Sequence, residues 1–305
     1  LHEDLIKEAN DAVMVELEAE NKADPILDNV DNTTKDMVFD AYCLDYGYWW
    51  IELTGEKADI IEEYEDIRDE LIKCVYGVWD HIKNGGDHGA QNFDLEWVGM
   101  LPGVRESRRM EGEYMLNEND LLENRVFDDA VAYGGWPVDN HVEHGLLDFD
   151  KMPSEIYAFN GLYTIPYRSY VAKDMDNLFI GGRSMGASKL AMASSRVMGT
   201  CAVGGQAVGT AAALCKKYGC TPHDVEAHMK ELQQLLLKDD CYIPGYKNED
   251  PADLARTAQV SAGSEKQPAA NVINGVSRTV GEDENCWQSD GLAGDNGVLS
   301  LKWDA

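Results

Sequence analysis

Positive charge is scarce in this sequence. Lys and Arg number 26 against 56 Asp and Glu, and the formal net charge at pH 7 is −30. Binding to nucleic acid requires a clustered Lys/Arg surface, and attraction to an anionic membrane surface requires basic residues as well. The composition therefore argues against both kinds of partner, and we expect a small-molecule substrate instead.

Cysteine is also sparse, and no two cysteines form a C-x-x-C pair. The seven cysteines are few for 305 residues and odd in number. This is typical of free buried thiols rather than of a disulfide framework. The first twenty residues are acidic and amphipathic, unlike a signal peptide, and the first residue is not Met. The start of the sequence therefore leaves the localisation unknown.

Long hydrophobic runs are limited to the segment 197–215, which has 19 residues without a charge. That length is nominally enough to span a membrane. The segment consists mainly of Ala, Gly, Thr and Val, with Gln206 inside it, so it is only weakly hydrophobic. We predict instead a helix of small residues that packs tightly against a sheet or a cofactor.

Apolar residues make up 44% of the chain, which is enough for a folded core, and the length corresponds to about two domains of roughly 100–200 residues. Periodicity and turn residues predict helices over 1–22, 57–83, 118–124, 196–218 and from Pro222, capped by Thr221, to Lys238. Strands are predicted within 36–53 and over Trp97–Met100, Arg109–Met115, Ala130–Tyr133 and Asn177–Ile180. The stretch 136–176 is predicted to be rich in loops.

The strongest site signal combines two glycines with a helix start. Gly181-Gly182-Arg183 follows the predicted strand Asn177–Ile180, and Ser195-Arg196-Val197-Met198-Gly199-Thr200 opens the long helix. Glycines allow a ligand to approach the backbone closely, and a helix start presents unpaired N–H groups and the positive end of the helix dipole. The pattern suits a phosphate or a partly anionic ring system. A tight strand-to-helix connection without a ligand would explain the same residues.

Three blocks of the sequence resemble one family. The run Ile165–Leu214 resembles the C-terminal flavin-binding segment of FAD-dependent oxidoreductases, which are similar in layout to glutathione-reductase-like flavoproteins. The blocks Leu101-Pro-Gly-Val-Arg105-Glu-Ser-Arg108-Arg109-x-x-Gly112-Glu-Tyr114 and Trp136-Pro-Val-Asp139-Asn-His141 resemble segments of the same family's substrate domain. The resemblance implies an α/β fold with a mixed or antiparallel substrate domain over 1–165 and the C-terminal segment of an FAD-binding domain over 166–247.

The resemblance also implies FAD as the cofactor and assigns residues to it. Gly181-Gly182-Arg183 would lie along the ribityl–pyrophosphate region. Met198-Gly199-Thr200 would place helix N–H groups near the pyrimidine end of the isoalloxazine ring, which becomes more negative when the flavin is reduced. Arg196 would stabilise the same charge or orient the substrate.

His141, with Asp139 as its partner, is the acid/base residue that the resemblance favours. A histidine whose pKa is near 6.5 suits proton removal from an alcohol or an amine during hydride transfer. A hydrogen-bonded loop histidine is the alternative. His144 lies three residues further on, but no third group of metal ligands is evident, so we predict no metal site.

Four further residues are candidates for substrate contact. One of Arg105 and Arg108 would face the flavin or the substrate, and Tyr167 and Arg168 would contact the substrate. Ion pairing of the arginines with surplus carboxylates such as Glu111, and simple packing of Tyr167 and Arg168, are the alternatives.

The dinucleotide fingerprint G-x-G-x-x-G, which this family carries on an N-terminal βαβ unit, does not occur in the sequence. We therefore expect the adenine half of the FAD site to come from a missing N-terminal half or a partner chain. Residues 248–305 resemble the opening strands of a discoidin-like galactose-binding jelly roll, on Val260-Ser261-Ala262, Ala270–Gly275 and Trp287-Gln288-Ser289. A short β-rich tail is predicted there.

Together these features predict the C-terminal portion of an FAD-dependent oxidoreductase. It would transfer a hydride to the flavin from a small polar substrate, with carbohydrate-derived compounds as one class. The alternative from a different class is a non-catalytic binding or scaffold module with a carbohydrate-binding-like tail.

Overall fold

The structure is a computed structural model, and it describes residues 51–54, 59–85, 89–104, 108–148, 151, 154–278 and 285–303. The helix predicted over 1–22 and most of the strands predicted within 36–53 lie outside these residues. The described end of that second segment, 51–53, does not form a strand.

The described residues contain helices, short strands and many 3-10 turns. The α-helices are α1 (Tyr64–Asn84), α2 (Glu118–Leu122), α3 (Lys189–Ser195), α4 (Met198–Tyr218) and α5 (Met229–Lys238). The strands are β1 (Ala130–Gly134), β2 (Val138–His141), β3 (Ser154–Tyr157), β4 (Tyr163–Pro166), β5 (Gln259–Ala262) and β6 (Leu299–Lys302). The 3-10 helices are Ala90–Asn92, Gly145–Leu147, Tyr167–Tyr170, Gly182–Ser184, His223–His228, Leu254–Thr257 and Ala269–Ile273.

The chain divides into two compact units. The first contains the described residues of Leu1–Ser107 together with those of Asp139–Ile156. The second contains Arg108–Val138 and the described residues of Tyr157–Ala305. The residues of the predicted tail therefore belong to the second unit in this division.

In the first unit, α1 is amphipathic, and its residues Ile67, Val78 and Ile82 are buried. Acidic residues lie in its first turn and basic residues in its last, which suits the helix dipole. The sequence predicts a start near 57, whereas α1 begins at Tyr64, after a turn at 60–63. The helix itself is confirmed.

The strand predicted over Trp97–Met100, also in the first unit, is wrong. These residues have no regular secondary structure, and Trp97 is 79% exposed. A strand is stabilised by a hydrogen-bonded neighbour, and no strand within the described ranges pairs with this stretch.

The core of the second unit is built around an antiparallel pair of strands, β1 and β4, with a bulge between Ala130 and Ala132. Helices α4 and α5 pack against β1 and against each other. The rings of Tyr163, Tyr167 and Tyr170 are fully buried at this centre. This packing of helices on a small sheet agrees with the mixed helix-and-strand content that the sequence predicts.

The sheets are smaller than predicted. Among the described strands, three two-stranded sheets occur, β1–β4, β2–β3 and β5–β6, and none is mixed. An isolated parallel bridge joins Leu116 and Ala187. The stretch 136–176, predicted to be loops, contains β2, β3 and β4. Its prolines misled the prediction, because Pro166 lies at the end of β4, where its missing N–H is tolerated.

Two predicted strands reduce to single bridges. Phe179 bridges to Val171, so Asn177–Ile180 is not a strand. Within Arg109–Met115 only one residue forms a bridge, Gly112 to Ala172. Both segments instead run beside irregular backbone and pair with it through isolated hydrogen bonds.

The two longest helices of the second unit follow the sequence signals closely, whereas α3 was not predicted. The predicted helix over 196–218 is confirmed as α4, which ends before Gly219, a residue with φ +64°. The helix predicted from Pro222 begins as the 3-10 helix His223–His228 and continues as α5 to Lys238. Contrary to the prediction, Thr221 does not cap this helix with its side chain. Instead, its N–H and its hydroxyl donate to the Asp224 carboxylate at 2.9 Å and 2.7 Å.

The tail contains one antiparallel pair, β5 with β6. The indole N–H of Trp303 donates to the carbonyl of Leu254 at 2.6 Å, and that of Trp287 to the carbonyl of Ser264 at 3.0 Å. The first bond joins the end of the tail to its beginning, and the second joins two positions inside it.

Candidate functional site

The start of α4 is open. The preceding residue, Val197, has an extended backbone, no side chain caps the helix, and its first turn contains no acidic residue. Met198 is 89% exposed, and a Cβ built on Gly199 would meet no atom within 4 Å. The first N–H groups and the positive end of the helix dipole are therefore accessible to an anionic group.

Two other predicted site residues flank this opening. Thr200 points into the protein and is buried. Arg196 lies at the end of α3, where its backbone N–H donates to the carbonyl of Met192 at 3.0 Å. Arg196 is partly exposed, so it brings a positive charge within two residues of the helix start.

The predicted glycine turn is also open. Gly181 has an extended backbone, and Gly182 has φ +58°, a conformation that favours glycine. The N–H of Ser184 donates to the carbonyl of Gly181 at 3.2 Å, and Arg183 is exposed. A Cβ on either glycine would meet nothing within 4 Å. The 3-10 helix Gly182–Ser184 contacts α4, so the structure brings these two predicted elements together.

The block around Gly112 reaches the same turn. The N–H of Met110 donates to the carbonyl of Ser184 at 3.4 Å. A Cβ on Gly112 would lie 3.1 Å from the carbonyl oxygen of Arg168, and one on Gly186 would lie 2.9 Å from the α-carbon of Gly112. Only glycine allows the backbones at Gly112 and Gly186 to come so close. This contact brings the exposed residue Arg108 to the region of the glycine turn.

The remaining arginine candidate of that block, Arg105, lies outside the described residues. The alternative partner considered for these arginines, Glu111, forms an ion pair with Lys173 at 3.0 Å.

Tyr167 and Arg168 are engaged within the protein. The buried hydroxyl of Tyr167 donates to the carbonyl of Pro222 at 2.7 Å. The Nε of Arg168 donates to Asp129 Oδ2 at 2.9 Å, and this bond raises the pKa of the guanidinium. The guanidinium also lies over the ring of Tyr114, 5.4 Å from its centre. These contacts agree with packing, the alternative that the sequence left open, and substrate contact by either residue stays a prediction.

His141 lies between two carboxylates in the first unit. Its Nδ1 is 2.6 Å from Glu52 Oε2, and its Nε2 is 3.1 Å from Asp139 Oδ2. All three side chains are between one fifth and one third exposed. A neutral imidazole can donate to one carboxylate only, whereas the protonated form donates to both. The arrangement therefore offers a carboxylate acceptor to each of the two ring nitrogens.

Glu52 is a residue that the sequence reasoning missed. It lies 89 positions from His141, and no local pattern joins them. The contact depends on close packing of the two segments: the N–H of Leu146 donates to the carbonyl of Glu52 at 2.9 Å, and a Cβ on Gly145 would overlap that same carbonyl.

A second missed signal lies in the charge pattern. Between Asp176 and Asp224 the sequence has no Asp or Glu, although 56 acids are spread over 305 residues. The same interval carries cations at Arg183, Lys189, Arg196, Lys216 and Lys217. This interval is therefore a positively charged part of an otherwise acidic sequence.

Metal and membrane features are limited. Within the described part of the chain, no group of three or more His, Cys, Asp and Glu side chains could hold a metal ion. By length and composition alone, helix α4 could cross a membrane. Of its apolar 18-residue stretch, 28% is buried. One such helix is weak evidence, because core helices of soluble proteins pass the same test.

Comparison with known proteins gives one result. The sequence model of a family described as FAD dependent oxidoreductase matches residues 6–236. No curated protein and no solved structure shows a significant match to the chain. The match covers more than half of the sequence, including the glycine turn, the start of α4 and the block around Gly112.

Proposed function

This chain belongs to the FAD-dependent oxidoreductase family, and on that premise we propose that it supplies the flavin-facing and substrate-facing part of an oxidoreductase for a small polar substrate. A general oxidoreductase function follows from the family. The identity of the site residues, the direction of hydride transfer and a carbohydrate-derived substrate belong to the proposal.

The open start of α4 is the observation that carries the proposal. An uncapped helix start without acids is unusual in a chain with a net charge of −30, because acids are favoured at that position. The residues also fit a flavin sterically, since Gly181, Gly182 and Gly199 leave free the space that a Cβ would occupy. A flat, partly anionic ring needs both features.

When bound, the flavin supplies a two-electron acceptor for hydride. The chain's own contribution would be to hold it and to stabilise negative charge. The N–H groups of Met198-Gly199-Thr200 and the guanidinium of Arg196 would favour charge at the ring. Gly181-Gly182-Arg183 would lie along the ribityl–pyrophosphate part, where Arg183 suits a phosphate.

We propose that His141 handles the substrate proton. The short contact between its Nδ1 and Glu52 would keep a proton on Nδ1, so that Nε2 would be the atom that gains or loses a proton. Asp139 would accept a hydrogen bond from the protonated Nε2 and so stabilise the imidazolium. This assigns Asp139 and Glu52 positioning roles and leaves the proton transfer itself to the histidine.

A second component is part of the proposal. Because the sequence has no G-x-G-x-x-G, we propose that a further segment or a partner chain provides the adenine half of the FAD site. Only 28% of the apolar 18-residue stretch of α4 is buried. The exposed remainder of this helix would pack against that component. Without it, the chain would act as a non-catalytic binding or scaffold module.

Titration of the purified chain with FAD, followed by visible absorbance, tests flavin binding. We expect the spectrum of bound oxidised flavin, and Gly199→Val should weaken binding at least about ten-fold, a loss of about 1.4 kcal/mol. Gly209→Val is the matched control, because it also has open space and lies ten residues along the same helix. Both variants should keep the melting temperature of the parent within a few degrees.

Two outcomes would contradict this assignment. Equal flavin affinity of Gly199→Val and the parent would place the flavin elsewhere. A chain that stays colourless with FAD, both alone and after the second component is added, would favour the binding or scaffold module.

The proton-handling role has its own test. Small alcohols, amines and sugars are screened anaerobically for loss of the oxidised-flavin absorbance, with the second component added where it is required. His141→Gln should slow this bleaching by about two to four orders of magnitude and leave flavin affinity unchanged. A variant that bleaches at the parental rate would remove His141 from the mechanism.

A further inference from the structure

The C-terminal end of α4 places two cysteines side by side. Gly219 has φ +64°, and the N–H groups of Gly219 and Cys220 both donate to the carbonyl of Cys215, the latter at 3.1 Å. The bond from Cys220 is the 6→1 bond of a Schellman motif. In that motif the chain turns back over the last helical turn, so the residue after the glycine lies against the residue five positions earlier.

This position pair usually forms a hydrophobic contact, and here it consists of two thiols. Desolvation and the neighbouring Cys220 raise the pKa of the Cys215 thiol, as expected for two thiols at this pair of positions. Both cysteines are free and partly buried, and both pack against the edge of the core. The thiol proximity therefore follows from the way the helix ends and does not depend on distant packing.

We propose that Cys215 and Cys220 are a dithiol modification site that is oxidised reversibly to an intramolecular disulfide. The co-reactant is a low-molecular-weight disulfide such as oxidised glutathione. This proposal is independent of flavin binding, because it rests only on the C-terminal end of α4.

The reaction balances in two exchange steps. The Cys220 thiolate attacks one sulfur of oxidised glutathione, forming a mixed disulfide and releasing one glutathione thiolate. The Cys215 thiolate then attacks the Cys220 sulfur, closing the protein disulfide and releasing the second glutathione. The two protein thiols lose two electrons and two protons, and the oxidised glutathione becomes two thiols.

The order of attack follows from burial. Desolvation, and then the neighbouring Cys220, raise the pKa of the Cys215 thiol to about 11. A thiol with so high a pKa is a poor nucleophile towards a dissolved disulfide. It can still close the ring, because the Cys220 sulfur is already beside it.

Peptide mapping of the native chain tests the proposal. Lys216 and Lys217 lie between the two cysteines, so trypsin separates them and only a disulfide keeps their peptides together. Because Cys201 lies on the same tryptic peptide as Cys215, the experiment uses Cys201→Ser as the parent. After oxidised glutathione and alkylation, we expect the linked peptides as the main product, with a mass lower by two hydrogens and two fewer free thiols.

Phenylarsine oxide, which bridges adjacent thiols, gives a second readout on the reduced chain. One equivalent should protect both Cys215 and Cys220 from alkylation, and Cys215→Ser or Cys220→Ser should each abolish this protection. Three outcomes would overturn the proposal. The two cysteines could accumulate separate glutathione adducts, or either could form its main disulfide with another cysteine. In the third outcome, both cysteines are alkylated independently in the presence of the arsenical.

Discussion

The ring of Tyr170 lies directly against the α-carbon of Gly204, on the buried side of α4. A Cβ at this position would overlap the Tyr170 hydroxyl and ring atoms. The next residue, Gly205, faces the other way, and a Cβ there would meet no atom within 4 Å. Two adjacent glycines of one helix therefore have opposite structural roles.

Replacement of these glycines by alanine should change stability in opposite directions. Gly204→Ala should lower the free energy of unfolding by about 1–3 kcal/mol, because the buried Tyr170 ring has to move. Gly205→Ala should raise it by about 0.5–1 kcal/mol, since alanine favours the helix more than glycine does. Urea unfolding of the two variants measures both changes.

The two substitutions serve as controls for each other, because they are chemically identical and adjacent. An unchanged stability for Gly204→Ala would mean that Tyr170 does not pack on α4 as described.

Arg168 is expected to act on stability through Asp129. Its Nε donates at 2.9 Å and its backbone N–H at 3.2 Å to Oδ2 of the same carboxylate, which is only 12% exposed. Arg168→Lys cannot reproduce the planar, two-pronged contact. It should cost about 1–3 kcal/mol of unfolding free energy, since a nearly buried carboxylate loses its partner. The measurement is again urea unfolding.

A double-mutant cycle tests whether Arg168 stabilises the protein through Asp129. It compares Arg168→Lys, Asp129→Asn and the variant that carries both substitutions. The double variant should lose less than the two single losses combined. A purely additive result would show that Arg168 acts through some other contact.

His223 should make stability depend on pH. Its Nδ1 is hydrogen-bonded to the carboxylate of Glu113, and its Nε2 donates to the carbonyl of Met175 at 3.2 Å. The bond to Glu113 raises the pKa of His223 above its ordinary value of 6.5. A raised folded-state pKa stabilises the protein fully below the unfolded-state pKa, and that stabilisation is lost as the pH rises through the folded-state value.

The urea concentration at the unfolding midpoint of the parent should therefore decrease across the interval in which the pH rises above the ordinary value of 6.5. His223→Gln removes the titrating group, so the parent's advantage over this variant should shrink across the same interval. A difference between the two proteins that stays constant with pH would show that His223 is not held in its protonated form.

Local signals were enough to predict α4 and α5. The run of small uncharged residues and the αL glycine at 219 define the end of α4, and the segment after Pro222 leads to α5, which ends at Lys238 as predicted. Both signals act within a few residues, because helical hydrogen bonds are short-range. The same reasoning predicted the glycine turn and the open helix start as candidate ligand contacts, and these assignments stay predictions.

The strands at 97–100, 109–115 and 177–180 were predicted wrongly because a strand depends on a partner elsewhere in the chain. The block around Gly112 illustrates this. Its residues suggest a strand, but the close approach of Gly112 to Gly186 leads it along irregular backbone instead. Sequence periodicity contains no information about which backbone lies opposite.

The sequence by itself determined the charge balance, the ends of α4 and α5, and the family to which the chain belongs. Only the tertiary structure decided which polar groups meet: Glu52 with His141 across 89 positions, and Asp129 with Arg168 across 39. The physical reason is that a helix is stabilised by bonds between near neighbours, whereas a buried carboxylate takes whichever partner the packed elements bring to it.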